Sequence, residues 1–363
     1  MAKRVSVDRW LFVVTLLLVF VGLVMVFSAS AVMAKERYHS GYFFLLRQLG
    51  WAVAGFIAML AAMKIDYKRL KHPAVVFSLL GLTTLMLISV FFLDRAHNTH
   101  RWFHVGGFSF QPSELAKPVL ILFLAFFLEN HAKSMNDWRN TLIPAVLPTL
   151  VFVGLIVFQP DLGTAIACAA ITVCVLFVAG LDVKYLAYGF LGSLLPLYFL
   201  IFHVAYRRDR ILAFLNPYSD PQGRGFHIIQ SLIAVSTGGL TGVGLMEGKE
   251  KLFYLPEPHT DFIFSVLGEE LGLVGCLVVV ALFAIFLWRG IRTAFRTQDL
   301  FGRFLVVGIT SMVVVQAFIN ISVVLGLMPT KGIPLPLISY GGSSLFITLG
   351  CVGVLLNITK QAE

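Results

Sequence analysis

Ten apolar runs of membrane-spanning length constrain this chain more than any other feature of its sequence. They fall near residues 10–32, 43–63, 73–93, 114–129, 142–159, 163–181, 185–203, 262–288, 304–326 and 340–357. A hydrocarbon core ~30 Å thick takes ~20 helical residues to cross, and backbone polar groups inside it must pair with one another. Charged residues make up 13% of the chain, where soluble domains carry ~25%. An ordinary soluble domain is thereby excluded. The expectation is an all-α polytopic membrane protein, a single domain over residues 1–363, with about ten transmembrane helices and a large outer-face loop at 204–261 between spans 7 and 8.

The first run follows Lys3, Arg4 and Arg9 and ends in Ser28-Ala29-Ser30-Ala31, which resembles a signal-peptide cleavage region. It is long for that role and nine spans follow, so a retained first helix is expected. Basic residues set the orientation. Those three, together with Lys64, Lys68, Arg69 and Lys71 after span 2 and Arg289, Arg292, Arg296 and Arg303 after span 8, mark the cytoplasmic face. Both termini then lie in the cytoplasm, and the loops at 33–42, 94–113, 160–162, 204–261 and 327–339 face outward.

Against that bias, Arg95, Arg101, Lys117, Arg207, Arg208, Arg210, Arg224, Lys249, Lys251 and Lys331 crowd the outer face. They either await an anionic ligand or balance Asp94, Glu114, Asp209, Asp220, Glu247 and Glu250; charge alone leaves both open. The net charge of +9 fits loops against anionic lipid, and no nucleic-acid signature is present. Cys168, Cys174, Cys276 and Cys351 lie within apolar runs, where small-residue packing is their expected role.

Four irregular segments converge on the outer face. Arg101 to Lys117 precedes span 4, with Glu114 and Lys117 three apart on one helix face. Gln159-Pro160-Asp161-Leu162-Gly163-Thr164 is a tight turn, with Asp161 at least as suited to capping span 6 as to catalysis. Residues 329–344, rich in proline and glycine, cannot be regular helix. The loop at 204–261 contains a helical apolar stripe at 228, 229, 232, 233 and 235, expected to lie along the membrane or re-enter it, then glycines 238, 239, 242 and 244. It closes on Leu255-Pro256-Glu257-Pro258-His259-Thr260-Asp261-Phe262, with Glu269 and Glu270 about two turns deeper. Ionisable residues so placed face a bundle interior or a wet cavity. Capping by Asp261 accounts for one acid and not for three. For Glu269 and Glu270 a structural role, pinning neighbouring spans through hydrogen bonds, is favoured over lining a cavity. His97, His100 and His104 have loosely metal-like spacing in an exposed loop, and no zinc site is expected there.

Taken together, Arg101-Trp102, Phe110 to Lys117, Gln159 to Thr164, Leu255 to Phe262 and Pro334 to Ser344 resemble the FtsW/RodA/SpoVE (SEDS) family of peptidoglycan glycosyltransferases over nearly the whole chain. Pro329-Thr330-Lys331-Gly332 is more like the division branch, FtsW, than the elongation branch; Asn98-Thr99-His100 before Arg101 departs from the family's usual small residues. The resemblance implies polymerisation of lipid II with inversion and release of undecaprenyl diphosphate. Asp261 would be the general base, made more basic by partial burial and by Glu257. Arg101, Glu114, Lys117, Arg210 and Lys331 would bind the substrate and its diphosphate. Gln111, Asp161, Gln230, His259, Thr260, Glu269, Glu270 and Ser339 would support them. A divalent cation, Mg or Mn, is expected on Asp261 and Glu114, with no organic cofactor. The implied partners are lipid II, a class B penicillin-binding protein and other divisome membrane proteins, with no nucleic acid. The implied location is the cytoplasmic (inner) membrane with the active site on the periplasmic or extracellular face. The alternatives are a lipid II flippase or secondary transporter, against which stand the one-sided polar segments and the lack of an internal repeat, and a RodA-type elongation polymerase.

Overall fold

The computed structural model describes residues 7–93, 101–105, 108–252 and 254–362. Asp94, Arg95, His97 and His100 lie outside these residues. Among the described residues twelve α-helices run in the order α1 Arg9–Tyr38, α2 Phe43–Lys64, α3 Pro73–Leu93, α4 Pro112–His131, α5 Ile143–Phe158, α6 Leu162–Val178, α7 Val183–Phe202, α8 Ala205–Leu215, α9 Phe226–Thr237, α10 Ile263–Arg296, α11 Leu300–Val324 and α12 Gly342–Gln361. A short hairpin before α4 pairs β1 Phe103–Val105 antiparallel with β2 Phe108–Phe110.

All ten expected spans fall on helices, and the other two helices, α8 and α9, belong to the 204–261 loop. Eight of the ten are long and apolar enough to cross a membrane. The remaining two have identifiable reasons for falling short. Helix α4 carries Glu114, Lys117 and Glu129, and α6 has 17 residues. The helix ends follow from local chemistry. Asp8, Asp161 and Asp299 cap α1, α6 and α11 by accepting from Leu11 N at 3.1 Å, Thr164 N at 3.1 Å and Gly302 N at 2.7 Å. Pro112 opens α4 where a missing N–H costs nothing.

Helices α11 and α12 form the centre of the bundle, with about two-thirds of their apolar lengths buried, whereas α7 lies at the edge with none. Leu191 and Leu195 of α7 point outward, which lipid tolerates because its tails are as apolar as leucine. Helix α12 packs on α2, α10 on α11 and α1, and α11 on α4 and α6. The four cysteines are unpaired.

The long loop re-enters the bundle. Helix α9 descends beside the first turns of α10, where Ser231 Oγ donates to the Val324 carbonyl at 2.7 Å and lies 2.8 Å from Ser265 Oγ. At that depth α10 is broken by Gly272, whose φ of 64° and ψ of −163° suit glycine and few other residues. A continuous helix would pair Leu273 and Val274 N–H with the carbonyls of Glu269 and Glu270. Instead those two N–H groups donate to the carbonyls of Gly239 and Leu240 at 2.9 and 3.2 Å, while Val243 and Gly244 N–H donate to the carbonyls of Glu269 and Glu270 at 3.0 and 3.1 Å. The glycine-rich loop thus repairs all four groups that the break releases, which a buried backbone requires.

Side chains complete the seam. Glu269 accepts from Lys249 N at 2.6 Å and Glu250 N at 3.2 Å. Glu270 accepts from Met246 N at 3.0 Å, Ser28 Oγ at 2.6 Å and Lys251 Nζ at 2.5 Å. Both acids are buried and lie outside the cavities at Asp261. They fasten the loop whose far end carries that aspartate.

Candidate active site

Asp261 stands on the wall between two cavities, one of about 830 Å³ and one of about 340 Å³. Glu257, Asp261 and Gly332 line both. The aspartate precedes α10 by two residues and is held mainly through its own loop. Ser339 Oγ donates to the Thr260 carbonyl at 2.6 Å and accepts from Leu335 N at 2.8 Å. Tyr340 N donates to the His259 carbonyl at 2.9 Å. Asn320 of α11 donates to the Asp261 carbonyl at 2.9 Å and to the Ile333 carbonyl at 2.7 Å. The irregular segments around 261 and 335 are therefore one structure, knitted by backbone contacts. Burial, and next the nearby Glu257 charge, raise the Asp261 carboxyl to about 7, against the opposing pull of Arg210.

The larger cavity is lined by Arg47 and Trp51 of α2, by Arg101, Gln111 and Glu114, and by Asp161. Arg101 Nε donates to the Gln159 carbonyl at 2.9 Å and its Nη2 to the Pro160 carbonyl, so it clamps the turn before α6 as well as facing the cavity. Asp161 accepts from Thr164 N and Oγ1 and from Gln111 Nε2 at 3.1 Å, which makes it a cap with one edge on the cavity. Lys117 lies behind Glu114 and outside the cavity lining; its ammonium meets both Glu114 oxygens at 2.9 Å and Gln316 Oε1 at 2.8 Å. This arrangement corrects the expected placement of Lys117 against the diphosphate: its donors are directed into the bundle, where they neutralise a buried acid.

The smaller cavity is the more cationic. Arg210, Arg224, His227 and Lys331 line it beside Asp209, which pairs with Arg224 at 3.2 Å. Lys331 forms no ion pair among the described residues. Burial and the neighbouring Arg210 lower its ammonium to about 8. Arg210 Nη1 reaches the Thr330 carbonyl at 3.5 Å. Glu257 and Asp261 complete this wall, so Arg210 and Lys331 are two neighbouring cations set beside the aspartate, an arrangement suited to an anion that approaches it.

The remaining expected residues fall outside this chemistry. His259 is buried against Phe44 and Tyr340, with ring centroids at 4.6 and 5.5 Å. Burial, then Arg37, lowers it to about 4, so it is neutral and its 3.9 Å approach to Glu257 is no ion pair. Gln230 lies on α9 and lines neither cavity. Sequence reasoning missed Arg47, Gln48, Gln316 and Asn320. Gln48 accepts from Gly341 N at 3.2 Å and donates to the Ser339 carbonyl at 3.1 Å. Polar residues inside otherwise apolar spans were the available signal.

A divalent cation on Asp261 and Glu114 would share Glu114 with the Lys117 ammonium, which meets both of its oxygens. Among the described residues no group of three or more His, Cys, Asp or Glu side chains converges as metal ligands.

The fold and site define a polytopic helical membrane protein with a raised-pKa carboxylate between two cavities at one end of the bundle. The chain belongs to the FtsW/RodA/SpoVE cell cycle protein family, whose model matches residues 8–363. It is 45% identical to the probable peptidoglycan glycosyltransferase FtsW of Geobacter metallireducens, over 99% of this chain and 96% of that protein. It is 44% identical to stage V sporulation protein E of Bacillus subtilis, over 99% of both. Its fold matches a chain of a peptidoglycan synthase complex solved for its coordination of polymerisation and crosslinking, with a TM-score of 0.81, 32% identity and 98% of each chain covered. The rod shape determining protein RodA of Thermus thermophilus matches with a TM-score of 0.71 at 28% identity, over 98% of this chain and 97% of that one.

Proposed function

We propose that this protein is a peptidoglycan glycosyltransferase of the division branch, polymerising lipid II with Asp261 as general base. The observation that carries the reading is the position of Asp261 on the shared wall of two cavities, with its pKa raised to about 7. A sugar hydroxyl is a weak nucleophile until a base takes its proton, and a base serves best when its pKa lies near the working pH. The acceptor hydroxyl gives its proton to the Asp261 carboxylate as its oxygen bonds to the donor's anomeric carbon. The bond from that carbon to the diphosphate breaks on the opposite side, inverting the centre and releasing undecaprenyl diphosphate. Negative charge gathers on the leaving group, which calls for fixed cations. Arg210 and Lys331 supply them from the smaller cavity, and the acceptor occupies the larger one beside Arg47 and Arg101. Glu114 faces the acceptor side, backed by Lys117.

The basic ends of α2 and α10 lie at the pole opposite Asp261, the same pole as Asp8. This supports cytoplasmic termini and a catalytic face on the outer side of the cytoplasmic membrane. A class B penicillin-binding protein is the expected partner, in keeping with the related chain in a peptidoglycan synthase complex, together with further divisome membrane proteins. The test is lipid II polymerisation by the purified protein with its transpeptidase. Glycan polymer from the wild type and none from Asp261→Ala or Asp261→Asn supports the assignment. Full activity in both variants, folded and partner-bound, moves the base elsewhere, and lipid II flipping without polymer replaces the enzyme by a transporter.

A further inference from the structure

The pole opposite Asp261 carries a second built feature, unrelated to the glycosyl-transfer chemistry. A cavity of about 190 Å³ opens where the start of α1 meets the last turns of α10 and α12, lined by Asp8, Arg9, Trp10, Arg289, Arg292, Arg296, Thr359 and others. Among the described residues four arginines share it with one acid. That acid is fully engaged. Asp8 Oδ2 is held by Arg289 Nε at 2.6 Å and Nη2 at 2.5 Å, and its Oδ1 caps Leu11 N at 3.1 Å. Asp8 N in turn donates to Thr359 Oγ1 at 3.3 Å, which ties the three helix ends together and fixes the wall. Asp8 thus pairs with Arg289. Arg9 and Arg292 form no ion pair with a carboxylate among the described residues.

From this geometry we infer that the cavity is a binding site for the phosphate headgroup of an anionic phospholipid. Its surroundings favour a lipid over a soluble ligand. Trp10 is 65% exposed, and Trp288 and Phe295 of α10 are 61% and 85% exposed, so large aromatic side chains project outward around the arginines. Aromatic side chains in this position mark the membrane–water interface, and basic pockets between transmembrane helices at that level take anionic headgroups. The size agrees. At ~30 Å³ per water the cavity holds roughly six waters, enough for a phosphate and its ester links. A guanidinium also offers paired donors that match phosphate oxygens. A lipid seated there would clamp the ends of α1, α10 and α12 some two dozen residues of helix away from the catalytic loop.

The test uses the full chain, delipidated in detergent and titrated with phosphatidylglycerol while bound lipid is counted by native mass spectrometry. Arg9→Gln with Arg292→Gln removes two charges and leaves the Asp8–Arg289 pair intact. At roughly fivefold in affinity per basic side chain near an anionic surface, that variant loses about 25-fold. Lys64→Gln with Lys68→Gln, on the same pole but outside the cavity, loses little. Equal loss from both pairs would overturn the site in favour of diffuse surface charge, as would equal retention of phosphatidylethanolamine. Inorganic phosphate binding as tightly as the lipid would overturn the lipid assignment. So would displacement of the lipid by a short poly-glutamate peptide at lower concentration than by phosphate, which would mark the cavity as a seat for an acidic protein segment.

Discussion

Asn320 holds Asp261 by its main chain and leaves its carboxylate free: one amide of α11 donates both to the Asp261 carbonyl at 2.9 Å and to the Ile333 carbonyl at 2.7 Å. The Asp261 loop and the proline-rich loop are thereby fixed to the same point of the most buried region of the bundle. Asn320→Ala strands two carbonyls, each at a cost of about 1–3 kcal/mol if no water replaces the donor. The expected result is a lower melting temperature and a kcat for lipid II polymerisation reduced roughly tenfold or more, since small displacements of a reacting group are expensive. An unchanged kcat in a destabilised protein would reduce Asn320 to a structural tether.

The titration of the site gives a second expectation. With Asp261 as the proposed base, which is competent when ionised, kcat/KM is expected to rise with pH through about 7. It falls again through about 8 as Lys331 loses its charge. Glu257→Gln removes one cause of the raised Asp261 pKa and shifts the acid limb to lower pH; Lys331→Arg keeps the cation and removes the alkaline limb. Stability moves in the opposite sense to activity. An aspartate raised from 3.8 to about 7 in the folded protein holds a proton that the unfolded chain has lost, so stability falls as pH climbs through that window. Asp261→Asn is therefore expected to melt higher than wild type at pH 7.5 while making no polymer. A flat rate profile between pH 6 and 9 would contradict both assignments.

The spans were legible because lipid leaves a chain few options: a helix of ~20 residues is the unit, and its apolar run is hard to disguise. Asp261 was legible because an acid at the mouth of a span is costly unless it is used. Spatial partners were not. Helical spacing placed Lys117 beside Glu114, but the third member, Gln316, lies 199 residues away on α11. Arg47 and Gln48 sit in the first turns of α2, and reading that stretch as an apolar span hid them. The glycine-rich stretch at 238–244 showed no partner in the sequence, whereas its carbonyls and N–H groups replace the broken bonds of α10. Sequence pattern reports which residues share a face; it does not report which neighbour that face meets.

Lys251 and Glu270 form the ion pair at the base of the re-entrant loop, 2.5 Å apart with side chains 4% and 0% exposed. Breaking one half of a buried pair costs about 3–5 kcal/mol, while removing both costs much less because no charge is left stranded. Lys251→Met is thus expected to be far less stable than Lys251→Met with Glu270→Gln, measured by thermal unfolding in detergent. Additive losses across that double-mutant cycle would mean that the pair is not coupled.

Gly332 offers a way to displace the base without touching its chemistry. It lines both cavities, and a β-carbon added there would lie 2.8 Å from Asp261 Oδ2. The obstructing atom is the free end of a side chain and not backbone, so the carboxylate yields and the fold does not. Gly332→Ala is expected to shift stability by no more than about 0.5 kcal/mol, the usual range for a surface substitution. Polymerisation should fall by roughly one to two orders of magnitude, because a base moved by about 1 Å no longer meets the acceptor hydroxyl. The Asp261→Asn/Gly332→Ala double variant should be no worse than Asp261→Asn alone, which separates displacement of the carboxylate from damage to the cavity. Wild-type rates in Gly332→Ala would show that the productive carboxylate does not occupy this gap between the two cavities.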